Sequence, residues 1–287
     1  MSITDDLPHA AAGLLPREGT PAMAVPDFVC IGAQKAGTTW LYSMLSQNRS
    51  LFLPPIKEIH FFDYIYIDSH RQWVANAFER RAKALAKTAE FRQYASALKA
   101  LDRSTDAWYA AVFAHPKARG RVTGEITPAY SMLPAAGVER ARAVNPGLKI
   151  LFIVRDPVDR ALSHLRMVAE RRKWDGIGAD VLKRPALMAN VTRRSAYRRN
   201  IARWEAVFPR EQILYLPYGR IRPEPEAVLR EVEAFIGAEP WAYADLSGDV
   251  HKSAPTTIDP AVTAALEAAL GGERAWLRSR FGADFVA

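Results

Sequence analysis

A glycine-framed segment near the N-terminus, "IGAQKAGTTW" at residues 31–40, contains residue types that suit anion binding. A nucleotide P-loop has the pattern G-x-x-x-x-G-K-[ST]. Gly32 and Gly37 keep its glycine spacing, but Thr38 occupies the lysine position and Lys35 lies inside the loop. Backbone N–H groups of such a turn, with the N-terminus of a following helix, bind anions. The segment predicts a phosphate-type site, with a structural strand-to-helix turn as the alternative.

Two further residues whose side chains could bind a ligand or take part in chemistry follow apolar runs. Arg155 comes directly after "LKILFIV", and Glu125 ends the run "RVTGE". A P-loop kinase would also need Mg²⁺ ligands and usually an acidic strand end. An arginine at a strand end instead indicates a second phosphate site. These residues predict an anion held by lysine, arginine and hydroxyl groups, without a metal ion.

The elements that must position these residues follow from hydrophobic patterning. Apolar runs at 27–31, 148–154 and 213–217 are typical of buried strands, and a shorter strand is predicted at 121–125. Residues 51–63 are predicted to be extended, with a break at Pro54 and Pro55. Helical spacing predicts helices that begin near residues 37 and 156, with others at 197–208 and 228–236. Asp156 suits the N-cap ahead of Pro157. Strands that alternate with helices predict an α/β fold around a parallel sheet.

Length and composition fit one domain of ordinary globular character. We predict a tail or arm at residues 1–26 and a single domain at 27–287, with a helical insertion near 70–115. The N-terminal segment does not resemble a signal peptide, and no apolar run is long enough for a membrane span. The single cysteine, Cys30, excludes an internal disulfide and is expected to be buried and inert. A lone cysteine favours a reducing compartment, and we expect a cytoplasmic location.

The basic character of the chain points to an acidic ligand. Its net charge of +8 suits an anionic small molecule or polymer. No zinc-ligand spacing, RNA-binding aromatic signature or helix-turn-helix accompanies that charge, so no nucleic-acid partner is expected. The arginines between residues 166 and 203 are predicted to lie mostly on solvated helix faces. The sequence leaves the oligomeric state open.

Five stretches together resemble the superfamily of sulfotransferases that use 3′-phosphoadenosine-5′-phosphosulfate (PAPS). "GAQKAGTTWL" resembles its 5′-phosphosulfate loop, and "IVRDPVDRALSH" resembles its 3′-phosphate motif. "KEIHFFD" resembles the segment with the catalytic glutamate in the heparan-sulfate and carbohydrate branch, while "GEITPAY" and "HKSAP" resemble two further family stretches. They occur in the family's order between residues 31 and 255. The resemblance implies a three-layer, P-loop NTPase-like α/β fold.

The resemblance also implies roles for individual residues. Arg155 and Ser163 would bind the 3′-phosphate that distinguishes PAPS from an ordinary nucleotide. Tyr197 occupies a position where the family often has an aromatic residue near adenine, although a core position on its helix is an equal alternative. Lys252 and Ser253 would belong to a loop that closes over the donor. The 5′-phosphosulfate would be held by the loop residues Lys35, Ala36, Gly37, Thr38, Thr39 and Trp40.

Glu58 is the general base that the resemblance implies. A carboxylate within hydrogen-bond reach of the acceptor hydroxyl or amine can take its proton during sulfuryl transfer. Lys35 would stabilise negative charge on the departing phosphate. His60 is the alternative base or an orienting partner, because on a strand its two-residue spacing places it on the face of Glu58. We favour Glu58.

The acceptor is only partly defined by these stretches. Heparan-sulfate enzymes commonly carry lysine where this chain has Ile126, so a heparan-like acceptor is in doubt. Glu125 is interpreted as a salt-bridge partner near the site, with Thr127 and Tyr130 shaping the acceptor wall. We predict transfer of a sulfuryl group from PAPS to a hydroxyl or amine of a carbohydrate, glycolipid or small metabolite, releasing 3′-phosphoadenosine-5′-phosphate (PAP). The alternatives are a nucleotide kinase with a degenerate P-loop and a non-catalytic polyanion-binding protein.

Overall fold

The computed structural model describes residues 24–246 and 256–286. Within these ranges, strands pair in parallel to form one sheet. The strands are β1 (Phe28–Gly32), β2 (Leu51–Phe52), β3 (Val122–Ile126), β4 (Lys149–Val154) and β5 (Ile213–Pro217). Their order across the sheet is β2-β3-β1-β4-β5. Every residue of β1 is buried, as expected for a central strand covered on both faces.

Helices flank this sheet, and the predicted three-layer α/β class is confirmed. They are α1 (Thr38–Leu45), α2 (Phe61–Tyr66), α3 (Asp68–Leu85), α4 (Ala89–Ala100), α5 (Asp106–Phe113), α6 (Ala135–Val144), α7 (Pro157–Arg172), α8 (Pro185–Arg193), α9 (Tyr197–Glu205), α10 (Pro225–Ile236) and α11 (Pro260–Phe281). The predicted helical region near 70–115 contains α3, α4 and α5. None of the helices in the described ranges combines the length and apolar character needed to cross a membrane.

The strand register brings three chain segments to one edge of the sheet. Cys30 of β1 lies opposite Ile126 of β3, and Gly32 lies opposite Phe152 of β4. Close contact between β1 and β3 needs Gly124, since a Cβ there would lie 2.3 Å from the Phe28 ring. Because the carboxyl ends of parallel strands meet at a common edge, the loops that follow β1, β3 and β4 converge, as at other α/β ligand sites.

The prediction of an extended segment over 51–63 is wrong beyond its first residues. Only Leu51–Phe52 forms a strand, and α2 begins at Phe61. The Phe61 ring stacks on Tyr109 of α5 with 4.3 Å between centroids, and its backbone N–H donates to the Tyr130 hydroxyl at 2.9 Å. These tertiary contacts stabilise a helix where β propensity favours a strand.

A second, smaller core supports α7 from outside the sheet. Val158 and Leu165 of α7 pack with Val262 and Leu266 of α11, a helix that the sequence patterns did not predict. The apolar spacing of α11 matches one helical face. This packing fixes α7, whose opposite side faces the functional site.

Candidate active site

A cavity of about 780 Å³ opens at the carboxyl edge of the sheet. Its wall comes from the loop after β1 and the first turn of α1, the segment before α2, helix α3, the turn after β3, the residue after β4, helix α7 and the turn after β5. Basic residues outnumber acidic ones on this wall, which favours an anionic occupant. The basic residues are Lys35, Lys57, Arg81, Arg155, Arg166 and Arg171, and the acidic ones are Glu58 and Glu170.

The N-terminus of α1 is open toward this cavity. Its N-cap, Gly37, has a left-handed backbone with φ +84°, and no side chain caps the helix. The first helical hydrogen bond is donated by Leu41 to the Gly37 carbonyl at 3.0 Å, so the N–H groups of Thr38 and Thr39 precede the helical ladder. A Cβ at Gly37 would lie 2.8 Å from Ile221 Cδ1. The helix end thus offers backbone donors and a positive dipole to an anion.

Lys35 and Arg155 form one cationic unit across two loops. Lys35 has a left-handed backbone with φ +69°, and its side chain lines the cavity. Burial, followed by the charge of Arg155, lowers the pKa of Lys35. Arg155 Nη1 donates to the Lys35 carbonyl at 2.8 Å, and its guanidinium lies 4.4 Å from the Tyr218 ring centroid. An anion between the two side chains would relieve their mutual repulsion.

The N-terminus of α7, in contrast, is already occupied by the protein. Asp156 accepts hydrogen bonds from the N–H groups of Val158 at 2.9 Å and Asp159 at 3.0 Å. Arg274 of α11 also donates to Asp156 at 3.0 Å. This helix contributes side chains instead of backbone donors, and Ser163 lines the cavity from its second turn.

Some residues to which the resemblance assigns contacts with PAPS do not line the cavity. Tyr197 is fully buried beside Phe152, and its hydroxyl accepts a hydrogen bond from the backbone N–H of Arg155 at 3.2 Å. Tyr197 is therefore a core residue of its helix, which was the alternative to a place near adenine. Ala36 is also fully buried. Trp40 and Tyr218 supply the aromatic rings of the wall. Lys252 and Ser253 lie outside the described residues.

Glu58 and His60 are held next to each other in an unusual backbone conformation. Both are left-handed, with φ +58° and +56°, so the strand alternation predicted for them does not apply. His60 Nε2 nevertheless lies 3.3 Å from Glu58 Oε2. Its Nδ1 lies 2.9 Å from Asp63, whose other neighbour is His70 Nδ1 at 2.7 Å. The network runs from a buried histidine to a carboxylate on the cavity wall.

The electrostatics of this network distinguish the two candidate bases. Burial would raise the pKa of Glu58, but the hydrogen bond with His60 and the charge of Lys57 outweigh burial and hold that pKa below its usual range. Burial would lower the pKa of His60, but Asp63 and then Glu58 outweigh burial and raise it. Both ring nitrogens of His60 face carboxylates, and its side chain is 5% exposed against 29% for Glu58. Of the two, Glu58 is therefore the group that faces the cavity.

The interpretation of Glu125, Thr127 and Tyr130 needs correction. All three are buried, and none lines the cavity. Glu125 forms no salt bridge with the described residues. It accepts hydrogen bonds from Tyr109 and Thr127 at 2.6 Å and from Tyr130 at 2.9 Å. Burial raises the pKa of Glu125, and the cluster fixes the start of α2 through Tyr130 and Phe61.

Other residues of the wall were missed as site residues. Arg166, Met167, Glu170 and Arg171 follow Ser163 by three, four, seven and eight positions, which is the spacing of one helical face and could have revealed them. Arg81 had no such signal, because it reaches the cavity from a helix remote in sequence. No group of three or more His, Cys, Asp or Glu side chains suited to a metal ion occurs in residues 24–246 and 256–286.

Comparison with known proteins assigns the family. The model of the family described as "Sulfotransferase family" matches residues 26–243, so this chain belongs to the sulfotransferase family. A crystal structure of a sulfotransferase from Alicyclobacillus acidocaldarius superposes with a TM-score of 0.64 at 23% identity, covering 89% of this chain and 95% of that one. The superposition shows the shared fold. The superfamily membership predicted from the five stretches is confirmed.

Curated relatives are longer than this chain. The mouse heparan sulfate glucosamine 3-O-sulfotransferase 5 is 26% identical over 227 residues, covering 75% of this chain and 54% of the relative. The human bifunctional heparan sulfate N-deacetylase/N-sulfotransferase 3 is 25% identical over 246 residues, covering 79% of this chain and 24% of the relative. The chain thus spans about half of the first relative and about a quarter of the second.

Proposed function

We propose that this protein transfers a sulfuryl group from PAPS to a hydroxyl or amine of a carbohydrate acceptor and releases PAP. The observation that carries the proposal is one cavity whose wall includes the open end of α1, the Lys35–Arg155 pair and the carboxylate of Glu58. Family membership and the names of the curated relatives support the same reaction.

The residues present fit the donor. In the proposal, Lys35 and the N–H and hydroxyl groups of Thr38 and Thr39 bind the 5′-phosphosulfate at the uncapped helix end. Arg155 and Ser163 bind the 3′-phosphate. Arg155 donates one N–H to the Lys35 carbonyl. Its other N–H groups have no acceptor among the described residues, so in the proposal they contact a phosphate in the bidentate manner that arginine favours.

The proposed reaction assigns each proton and electron pair. The acceptor oxygen or nitrogen bonds to sulfur while the bond between sulfur and the bridging phosphate oxygen breaks, and that electron pair leaves with PAP. Lys35 stabilises the departing charge. Glu58 takes the acceptor proton, which the forming bond to sulfur makes more acidic.

The cavity wall favours an acceptor with acidic groups. Ile126 is buried and 1% exposed, so the position that carries lysine in heparan-sulfate enzymes does not reach the cavity here. Lys57, Arg81 and Arg166 instead place positive charge beside Glu58 and Ser163. We therefore propose a carbohydrate with carboxylate or sulfate substituents. The curated relatives whose names specify heparan sulfate glucosamine are consistent with this class.

Two assays test the proposal on the full chain. Thermal shift with PAP, ATP–Mg²⁺ and an oligonucleotide should show stabilisation by PAP, because a ligand that binds only the folded state raises Tm. ³⁵S-labelled PAPS with a panel of neutral and acidic oligosaccharides should give labelled product. Glu58→Gln should lower transfer about 100-fold or more while keeping the PAP shift. If ATP–Mg²⁺ raises Tm and PAP does not, the proposal is contradicted.

A further inference from the structure

The segment that carries Glu58 is held by two arginines from the region between β2 and β3. Arg81 of α3 donates through Nη1 to the carbonyls of Lys57 at 2.6 Å and Glu58 at 3.3 Å. Arg103, in the loop between α4 and α5, donates through Nη2 to the next carbonyl, that of Ile59. Three successive backbone carbonyls thus contact guanidinium groups.

This segment needs such support because of its conformation. Glu58 and His60 flank Ile59, and both have the left-handed backbone that side chains disfavour. The strand pairing of β2 ends at Phe52, before the segment begins. Left-handed residues at functional sites persist when surrounding structure holds them in place. The two arginines provide that hold from outside the segment.

Arg103 has little other polar function. Its guanidinium carbon lies 4.5 Å from the Phe78 ring centroid, 4.7 Å from Trp108 and 5.3 Å from Tyr64. Its Nε and Nη1 are buried and have no hydrogen-bond partner among the described residues. Aromatic faces partly offset the cost of burying a cation. The polar contact that this arrangement delivers is the one with the Ile59 carbonyl.

We propose that Arg103 is a positioning residue for Glu58, acting through the Ile59 carbonyl. It keeps the Glu58 carboxylate on the cavity wall and within 3.3 Å of His60 Nε2. Arg81 holds the preceding carbonyls but also lines the cavity, so Arg103, which does not line it, separates positioning from substrate contact. The proposal rests on the proposed function, in which Glu58 is the base. It gives helices α3–α5 the role of holding that base.

The first experiment measures turnover of full-length Arg103 variants with ³⁵S-labelled PAPS and the most active oligosaccharide of the panel. We expect Arg103→Ala to lower kcat about 100-fold, the cost of a small misplacement of a reacting group. KM for PAPS and the PAP thermal shift should stay within about twofold of wild type, because the donor site lies on other elements. Arg80→Ala, at an exposed position of α3, is the control and should leave kcat unchanged.

Rescue separates positioning from general stability. Millimolar guanidinium should restore part of kcat in Arg103→Ala, where it can occupy the vacated space, and not in Arg103→Met, whose side chain fills that space. Arg103→Lys should retain more activity than either. If Arg103→Ala does not fold, Arg103→Lys carries the test through its kcat and unchanged KM. An Arg103→Ala enzyme with normal kcat, or one whose loss is not restored by guanidinium, overturns the proposal.

A readout that needs no turnover distinguishes this inference from the proposed function. Carboxylate ¹³C NMR of the PAP-bound, glutamate-labelled protein follows Glu58, whose signal is assigned by its loss in Glu58→Gln. In Arg103→Ala, the pKa of Glu58 should rise toward its ordinary value of about 4.3 as the His60 contact loosens. If the pKa of Glu58 in Arg103→Ala equals that of the wild type, the proposed role of Arg103 is overturned. Absence of sulfate transfer by wild type, with the pKa shift present, contradicts the proposed function alone.

Discussion

The N-termini of α1 and α7 follow neighbouring strands and differ in how they are capped. Both helices follow neighbouring parallel strands, β1 and β4, and both contribute to the cavity wall. The end of α1 has glycine as its N-cap and no capping side chain, whereas Asp156 caps α7 and also contacts Arg274. The N-terminus of the helix that follows the strand therefore has no side-chain cap in α1 and has an aspartate cap in α7.

The difference indicates which chemical group each helix end can serve. An open helix end offers N–H groups that approach an anion from several directions, which suits the phosphosulfate that undergoes reaction. Because Asp156 caps the N-terminus of α7, the proposed function assigns the 3′-phosphate to side chains there, Arg155 just before the helix and Ser163 within it. The hydrogen bond from Arg155 to the Lys35 carbonyl joins the two regions.

Lys35→Ala tests the open end and should have the largest effect. Loss of a cation at the departing phosphate should lower kcat about 100- to 1,000-fold, the range for removal of one charge-stabilising donor. The measurement is single-turnover transfer of ³⁵S with saturating PAPS. A normal rate in Lys35→Ala would show that the helix end alone stabilises the leaving group.

Arg155→Ala tests the capped side. Removal of one hydrogen bond to a charged group costs about 1.5–3 kcal/mol, so PAP affinity should fall at least roughly 10- to 100-fold. Adenosine 5′-phosphosulfate, which lacks the 3′-phosphate, should lose much less. Calorimetric titration of both ligands gives the comparison, and an equal loss for both would reject the 3′-phosphate assignment.

Gly37→Ala tests whether the open end depends on glycine. The left-handed φ of +84° and the 2.8 Å approach to Ile221 predict strain, about 1–3 kcal/mol for a non-glycine residue in a disfavoured region. We expect PAP affinity to fall about tenfold and Tm to decrease. Gly271→Ala is the matched control, because no atom lies within 4 Å of its added Cβ and alanine favours a helix interior. Equal effects at both glycines would contradict the prediction.

Asp156→Ala tests the filled end and should have the smallest effect on binding. Loss of the cap should cost about 1 kcal/mol of unfolding free energy, measured by urea denaturation, with PAP affinity within about twofold of wild type. Hydrogen bonds from Arg274 and the helix N–H groups outweigh burial and lower the pKa of Asp156.

The same residue gives a pH test with a defined sign. Since the pKa of Asp156 is lower in the folded than in the unfolded state, its ionised form stabilises the fold above the unfolded value of about 3.9. That stabilisation is lost as pH falls through the folded-state pKa. The stability difference between wild type and Asp156→Asn should therefore shrink in acid; a constant difference would contradict the assigned pKa direction.

Local sequence signals correctly predicted those elements whose signal lies within the segment itself. The apolar run at 213–217 coincides with β5, and the N-cap signal at Asp156 coincides with the start of α7. The extended prediction for 51–63 failed because Phe61 is stabilised as helix by Tyr109 and Tyr130, residues far away in sequence. Periodicity carries no information about such partners.

The sequence by itself determined the sulfotransferase family, the parallel α/β class and the segments that meet at the sheet edge, because glycine spacing, strand runs and caps act over short distances. Tertiary structure decided which side chains share the cavity. It placed Tyr218 on the wall and Tyr197 in the core, and it brought Arg81 and Arg103 to the backbone around Glu58. These outcomes depend on packing between elements remote in sequence, where burial and charge are set by neighbours that no local pattern specifies.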